Sequence, residues 1–245
     1  FGGIEDAFPP VERRTLRRSS TSGAARAGAT RTTALQGLPF GARWFDTSEF
    51  MMGRVAVSIL FPESDGSTDV NRYDWTPALR DSVVRSAVRG LAHWSVFAAR
   101  RGIALSFVIE VHVGLATRYE PISRTVAEEE NWIQDALVSL LGYRRDAITL
   151  CYDVANAARA RLGAQWAALV FAVQNDSSST GTFADGVIAH ARLGGPYFVT
   201  PVKNGGAATQ GATLDNYMEH EMAHTFWALD EHLPTSGWWA CSLTS

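Results

Sequence analysis

Cysteine is nearly missing from this chain: 245 residues carry two, Cys151 in a stretch with helical periodicity and Cys241 among the last five. Two thiols so placed could pair, but a buried unpaired thiol is the ordinary state of a cysteine inside a helix, and so few do not define a redox compartment. Long apolar runs are missing too. No stretch approaches the roughly 20 residues that span a bilayer, which argues against a helical membrane span within these residues, and the sequence begins at Phe1 with neither an initiator methionine nor an apolar signal core. The expectation is a processed or trimmed start. Concentrated positive charge is lacking as well: the formal net charge is -3 and no basic stripe is interleaved with aromatics, so nucleic acid is disfavoured as a partner. There is no internal repeat. What remains, 46% hydrophobic and 19% charged residues, is the composition of an ordinary globular chain with enough length for one good-sized domain.

Residues 1–40 hold few large apolar side chains and much Arg, Ser, Thr, Ala and Gly, including the pairs Arg13-Arg14 and Arg17-Arg18. Such a segment cannot bury enough surface to offset its ordering entropy and is expected to be a disordered linker or a pro-segment remnant, with the folded domain over 41–245. The apolar, β-branched run Val55–Phe61 predicts a buried strand stopping at Pro62. The loop Glu63–Asp69 has oxygen-rich spacing that could hold Ca2+, but it lacks the closing glutamate of an EF-hand loop, and a plain turn is the expectation. Thr76-Pro77 marks a helix start, after which Leu79, Val83, Ala87, Leu91, Trp94 and Ala98 recur at helical spacing up to about Gly102. A second strand is predicted over 103–113 and a right-handed parallel βαβ unit with it. His112, inside that strand, is expected to be a satisfied histidine. Helices over 126–141 and 147–162 follow, and Glu128, Glu129 and Glu130 suit a helix N-terminus. Strands are predicted over 166–173 and 197–202. Between them Gly186, Val187, Ile188, Ala189, His190 and Ala191, glycine-bounded and of mixed polarity, predict an edge strand.

The stretch Tyr217–His232 carries the chemistry. It contains His220-Glu221-x-x-His224, and on a helix two residues four apart differ by about 40° in direction and about 6 Å in height, so both imidazoles can reach one ion. Zinc accepts imidazole nitrogen at about 2.0–2.1 Å, and a hydrolytic site keeps three protein ligands and an open position. The third ligand must come from beyond the helix, since continued helix would carry Asp230 about 9 Å along the axis from His224. A turn after Ala228 or Leu229 brings back Asp230, with Glu231 and His232 as its neighbouring competitors.

These residues resemble the helix of the metzincin clan of zinc peptidases, His-Glu-x-x-His-x-x-Gly-x-x-His, and in particular the snapalysin-type variants that end in Asp. The resemblance covers roughly residues 54–232. It implies zinc ligands at His220, His224 and Asp230, a general base at Glu221 that takes the proton of an attacking water, and a secreted, monomeric endopeptidase. It implies also an α/β (α+β) fold: a twisted, mostly parallel five-stranded sheet with an antiparallel edge strand, a long backing helix and the zinc helix. The edge strand forms the upper rim of the cleft, so Gly186 to Ala191 are the candidate substrate-binding residues, pairing an extended peptide or protein substrate. Two departures carry expectations. Trp227 stands where the family has glycine, which predicts either a strained left-handed residue or a displaced turn. No methionine follows Met222, where the family has a methionine turn, so the chain is expected to be cut before the second subdomain or to build its floor from Trp238 and Trp239. A cysteine beyond Ser245 would be the natural partner of Cys241. Two other classes of function fit the same residues: a non-catalytic, zinc-stabilised binding or assembly module, which would not need an intact Glu221, and a zinc hydrolase of a non-peptide amide, which would show a closed pocket in place of an open groove.

Overall fold

A computed structural model describes residues 41–176, 178–203 and 213–230, together with the backbone of Glu12–Thr15. The strands are β1 (Glu12–Thr15), β2 (Gly53–Ser64), β3 (Leu105–Thr117), β4 (Trp166–Val173), β5 (His190–Ala191) and β6 (Tyr197–Pro201). The helices are α1 (Pro77–Ala99), α2 (Glu129–Leu141), α3 (Ala147–Leu162) and α4 (Leu214–Thr225). The strands form one sheet in the order β1-β3-β2-β4-β6-β5, parallel throughout except for β5, which runs antiparallel on the edge beside β6. The mostly parallel sheet with an antiparallel edge is thus as expected from the sequence. The segment 1–40 lies outside the described residues apart from β1, whose backbone pairs with Val108–Val111 and adds a sixth strand.

Parallel sheets are covered on both faces, and this one is. Along β2, Ala56 and Leu60 pack toward α2 and α3, whereas Val55, Val57, Ile59 and Phe61 pack toward α1 and α4. All eight residues of β4 are buried, which is why the run reads as continuously apolar. The helices begin and end where local chemistry says they should. Thr76 Oγ1 accepts from Leu79 N ahead of Pro77, Asp146 accepts from Thr149 N at the start of α3, and Gly163 ends α3 in the left-handed region.

Three strands depart from expectation by more than one residue: β3, expected over 103–113, runs over Leu105–Thr117. β2 does not stop at Pro62 but continues to Ser64, because the pairing slips between Leu60 and Pro62: Leu60 faces His112 and Pro62 faces Leu115, so β3 carries one extra residue there. Gly114, at φ 69, takes the left-handed conformation this bulge needs. The expected edge strand over 186–191 contracts to His190–Ala191. Gly186 sits at φ 85 in a turn, and the Asp185 carboxylate accepts from both Val126 N and Val187 N, pinning Gly186 and Val187 beside the start of α2 instead of in the sheet.

Candidate metal centre

The helix that carries the His-Glu-x-x-His residues is set down on α1. α4 starts at a capping box, Thr213 with Asn216, and buries Met218 and Met222 between α1 and the sheet. The two helices meet at Gly90, where an added Cβ would lie 2.4 Å from the Asp215 carbonyl oxygen and 3.1 Å from Glu219 N. Around that glycine the Arg89 guanidinium pairs with Asp215 through both carboxylate oxygens, His93 Nδ1 lies 2.6 Å from a Glu219 oxygen, and Trp94 Nε1 donates to the Glu219 carbonyl.

The helix ends in a Schellman motif. Ala228 N donates to Ala223 O and Trp227 N donates to His224 O, with Trp227 at φ 70 in the position that glycine normally fills. Of the two expected outcomes the first is the one found: the turn stays in place and the tryptophan accepts the left-handed conformation. Its indole lies against Gly194, where a Cβ would come within 2.4 Å of Trp227 Cζ2, and Gly194 N donates to the His224 carbonyl. The loop before β6 is therefore the seat of the turn. Nothing in the sequence marked Gly194 for this beyond the glycine pair Gly194-Gly195.

The turn brings Asp230 back to the two histidines. His220 Nε2 and His224 Nε2 are 2.9 Å apart, and Asp230 Oδ1 lies 3.2 Å from the first and 3.3 Å from the second. Three atoms each about 2.0–2.1 Å from a common point at tetrahedral angles are about 3.3 Å apart, so the triangle has the dimensions of one face of a zinc site. The hydrogen bonding is compatible with that use. His224 Nδ1–H donates to the Ala228 carbonyl at 2.7 Å, which turns Nε2 toward Asp230, and Asp230 Oδ1 is buried with no hydrogen-bond partner among the described residues. A cation shared by the two imidazole nitrogens and this oxygen would satisfy all three. Among the described residues this is the one group of three His, Cys, Asp or Glu side chains so placed. The alternatives Glu231 and His232, and Trp238, Trp239 and Cys241 with them, lie outside the described residues.

Glu221 is 3% exposed. Burial, with the charge of Asp230 adding to it, pushes its carboxyl up to about 8, and no hydrogen bond enters. A cation in the triangle would act in the opposite direction. The site is open on one side: the His220 side chain is 39% exposed while that of His224 is 6%.

The other sequence candidates fall elsewhere. His190 and Ala191 alternate across the sheet as strand residues do. Ala191 packs on the α4 side, whereas His190 Nε2 lies 2.6 Å from Glu129 of α2, which also accepts from the Tyr197 hydroxyl. Of the six candidate substrate residues, Ala191 is thus on the α4 side of the sheet, and Val187 and His190 are on the other. In the loop after β2, Asp65 accepts from Ser67 N and Asp69 is held by Arg124 and Glu120 N, a turn whose carboxylates are taken. Cys151 is buried and free, its thiol pushed up by burial. His112 is satisfied, but by a network that local sequence reading missed: Glu110, wholly buried, accepts from His112 Nε2–H, Ser58 Oγ and the Arg161 guanidinium. The one sequence signal for it is a glutamate two residues before a histidine on the same face of an apolar strand.

No protein-family model, curated protein or solved structure matches this chain.

Proposed function

We propose that the protein is a secreted zinc-dependent endopeptidase in which His220, His224 and Asp230 hold one zinc ion and Glu221 is the general base. The observation that carries this reading is the triangle of two imidazole nitrogens and a buried, unbonded carboxylate oxygen with edges of 2.9, 3.2 and 3.3 Å. The metzincin-like spacing of the four residues adds to it. Zinc held there supplies Lewis acidity and a water acidic enough to ionise near neutrality. The residues do the rest. His224 is fixed by its Nδ1–H bond to Ala228, so Nε2 keeps one orientation. Glu221, next to His220 in the chain, accepts the water's proton and returns it to the leaving nitrogen. An extended peptide is the favoured substrate because β5 is an antiparallel edge strand in contact with α4, and edge strands take up peptides by added pairing. The exposure of His220 fits an open groove better than the closed pocket of a small-amide hydrolase.

Metal analysis of single variants, paired with a peptide-hydrolysis assay, tests this reading. The parent should hold about one zinc per chain, as the three ligands imply. His224→Ala should hold none, and Glu221→Gln should keep zinc while losing about 10²–10⁴ in rate. Zinc retained by His224→Ala would sink the site, and unchanged hydrolysis by Glu221→Gln would sink the base. A parent that holds zinc and cleaves no peptide would turn the reading to a zinc-stabilised binding module.

A further inference from the structure

At the end of the sheet where β2, β4 and β6 begin, a cavity of about 580 Å³ opens between the segment 41–50, the loop 192–195, α3 and the turn after α4. That lies within the range of small-ligand pockets, about 300–1,000 Å³. Its walls are aromatic. Phe45, Phe50 and Trp227 are 45%, 49% and 52% exposed, and Phe50 stands edge-on to Trp166 with 5.8 Å between ring centroids. Three half-exposed rings around one hollow are a large apolar surface for a folded chain to leave open. Four charged side chains line the same cavity, Arg43, Asp46, Glu49 and Arg192, and their charges sum to zero. Two of them are spent on each other: the Arg43 guanidinium donates to both carboxylate oxygens of Asp46 and lies over the Phe45 ring. Glu49 and Arg192 differ. Neither side chain has a hydrogen bond or an ion pair with any described residue, and they do not pair with each other. Both act on the Tyr152 hydroxyl, a third unbonded group on the wall: burial raises it, the Arg192 charge opposes that rise, and Cys151, Asp46 and Glu49 add to it. Among the described residues the cavity thus offers one unpaired cation, one unpaired anion and one hydroxyl beside a set of rings.

We infer that this cavity binds a free aromatic amino acid, its carboxylate taken by Arg192 and the Tyr152 hydroxyl, its ammonium by Glu49 and its ring by Phe45, Phe50 and Trp227. An anion would answer Arg192 and leave Glu49 repelling it, and a cation would do the reverse. A ligand carrying both signs satisfies both groups and keeps the site neutral. A zwitterion without a ring would leave the aromatic walls in water. None of the lining residues is His220, Glu221, His224 or Asp230, so the site does not rest on the metal reading.

The test is calorimetric titration of the full chain with L-phenylalanine, run beside phenethylamine, 3-phenylpropanoate and L-alanine, which lack the carboxylate, the ammonium and the ring in turn. The expected result is saturable binding of one phenylalanine per chain with Kd of about 1 mM or tighter, and each analogue weaker by about tenfold or more. Two variants outside the core should exchange the preference. Glu49→Gln no longer calls for an ammonium and should bind 3-phenylpropanoate at least as well as phenylalanine, and Arg192→Gln should do the same with phenethylamine. Phe45→Ala should weaken phenylalanine and both one-charge analogues alike. An excess of chelator should leave binding unchanged, and loss of binding there would move the ligand to the metal centre. The inference is overturned also by non-saturable uptake of phenylalanine, by an analogue that binds the parent equally well, or by Glu49→Gln and Arg192→Gln proteins that keep the parent's preference.

Discussion

Replacing Trp227 by glycine and, separately, by alanine isolates the left-handed turn that returns Asp230 to the two histidines. Both variants lose the same indole. Trp227 is 52% exposed, so of the roughly 250 Å² that a large aromatic side chain can bury about 120 Å² is covered, worth about 3 kcal/mol at 25 cal/mol/Å². The backbone makes the difference. At φ 70 alanine keeps the steric penalty of a Cβ, about 1–2 kcal/mol, which glycine escapes. Glycine in turn gives the unfolded chain more freedom, at a cost of about 0.4–1 kcal/mol. Alanine should therefore destabilise by about 3 kcal/mol and glycine by about 1.4–3 kcal/mol, with the mid-range values giving about 2. Urea denaturation in the presence of a chelator measures both without a contribution from bound metal. A second cycle sharpens the result. Gly194→Ala places a Cβ 2.4 Å from the Trp227 indole in the parent, but the Trp227→Gly background removes that clash. The double variant should then be more stable than the sum of the singles by more than about 1 kcal/mol. An alanine variant as stable as the glycine one would refute the left-handed turn, and strict additivity would refute the Gly194 contact.

Gly90→Ala should cost about 1–3 kcal/mol in chemical denaturation, because the new Cβ meets the Asp215 backbone oxygen and only a shift of α4 relieves it; no loss would mean that the helices are not in contact there. Glu120 is buried, which raises its carboxyl to about 7, with Asp69 and Glu63 adding to the rise against the bonds from Arg72 and Tyr73 N–H. The folded state thus keeps a proton that the unfolded chain releases near pH 4.3, so this contribution is whole below about pH 4.3 and is lost as pH rises toward 7. Glu120→Gln should flatten that part of the stability profile, and an unchanged slope between those limits would clear Glu120. Glu110 has the opposite sign: lowered to about 2, it contributes above about pH 4.3 and loses that contribution as pH falls through 2, so Glu110→Gln should be less sensitive to acid than the parent.

The parts of the fold visible in the sequence are those fixed by local chemistry. α3 could be bounded because Asp146 caps it and Gly163 ends it, and β4 because a buried parallel strand reads as one apolar run. The two histidines and Glu221 were legible for the same reason, since helical spacing alone places them. Asp230 needed a turn whose left-handed residue is a tryptophan, and that conformation depends on Gly194, 33 positions earlier in the chain. The rest was hidden by contacts between distant residues. Pro62 reads as a stop, yet a bulge at Gly114 of the neighbouring strand lets β2 continue. Gly186 to Ala189 look like strand until Asp185 is seen bonding two separate backbone amides. Glu110 and Arg161 stand 51 positions apart, beyond any periodicity argument.

Between α1 and α4 the glycine contact, the Arg89–Asp215 pair, the His93–Glu219 contact and the Trp94–Glu219 bond all lie within two helical turns. Sliding one helix past the other by a turn, about 5.4 Å, would break every one of these at once and bring a side chain against backbone where the glycine now sits. Intermediate displacements gain nothing in exchange, so the two helices have one discrete setting and no soft path away from it. His220 and His224 thus inherit their height above the sheet from a mechanical index on the far side of their own helix, and thermal motion there would be felt as rocking about Gly90 and not as drift along the axis.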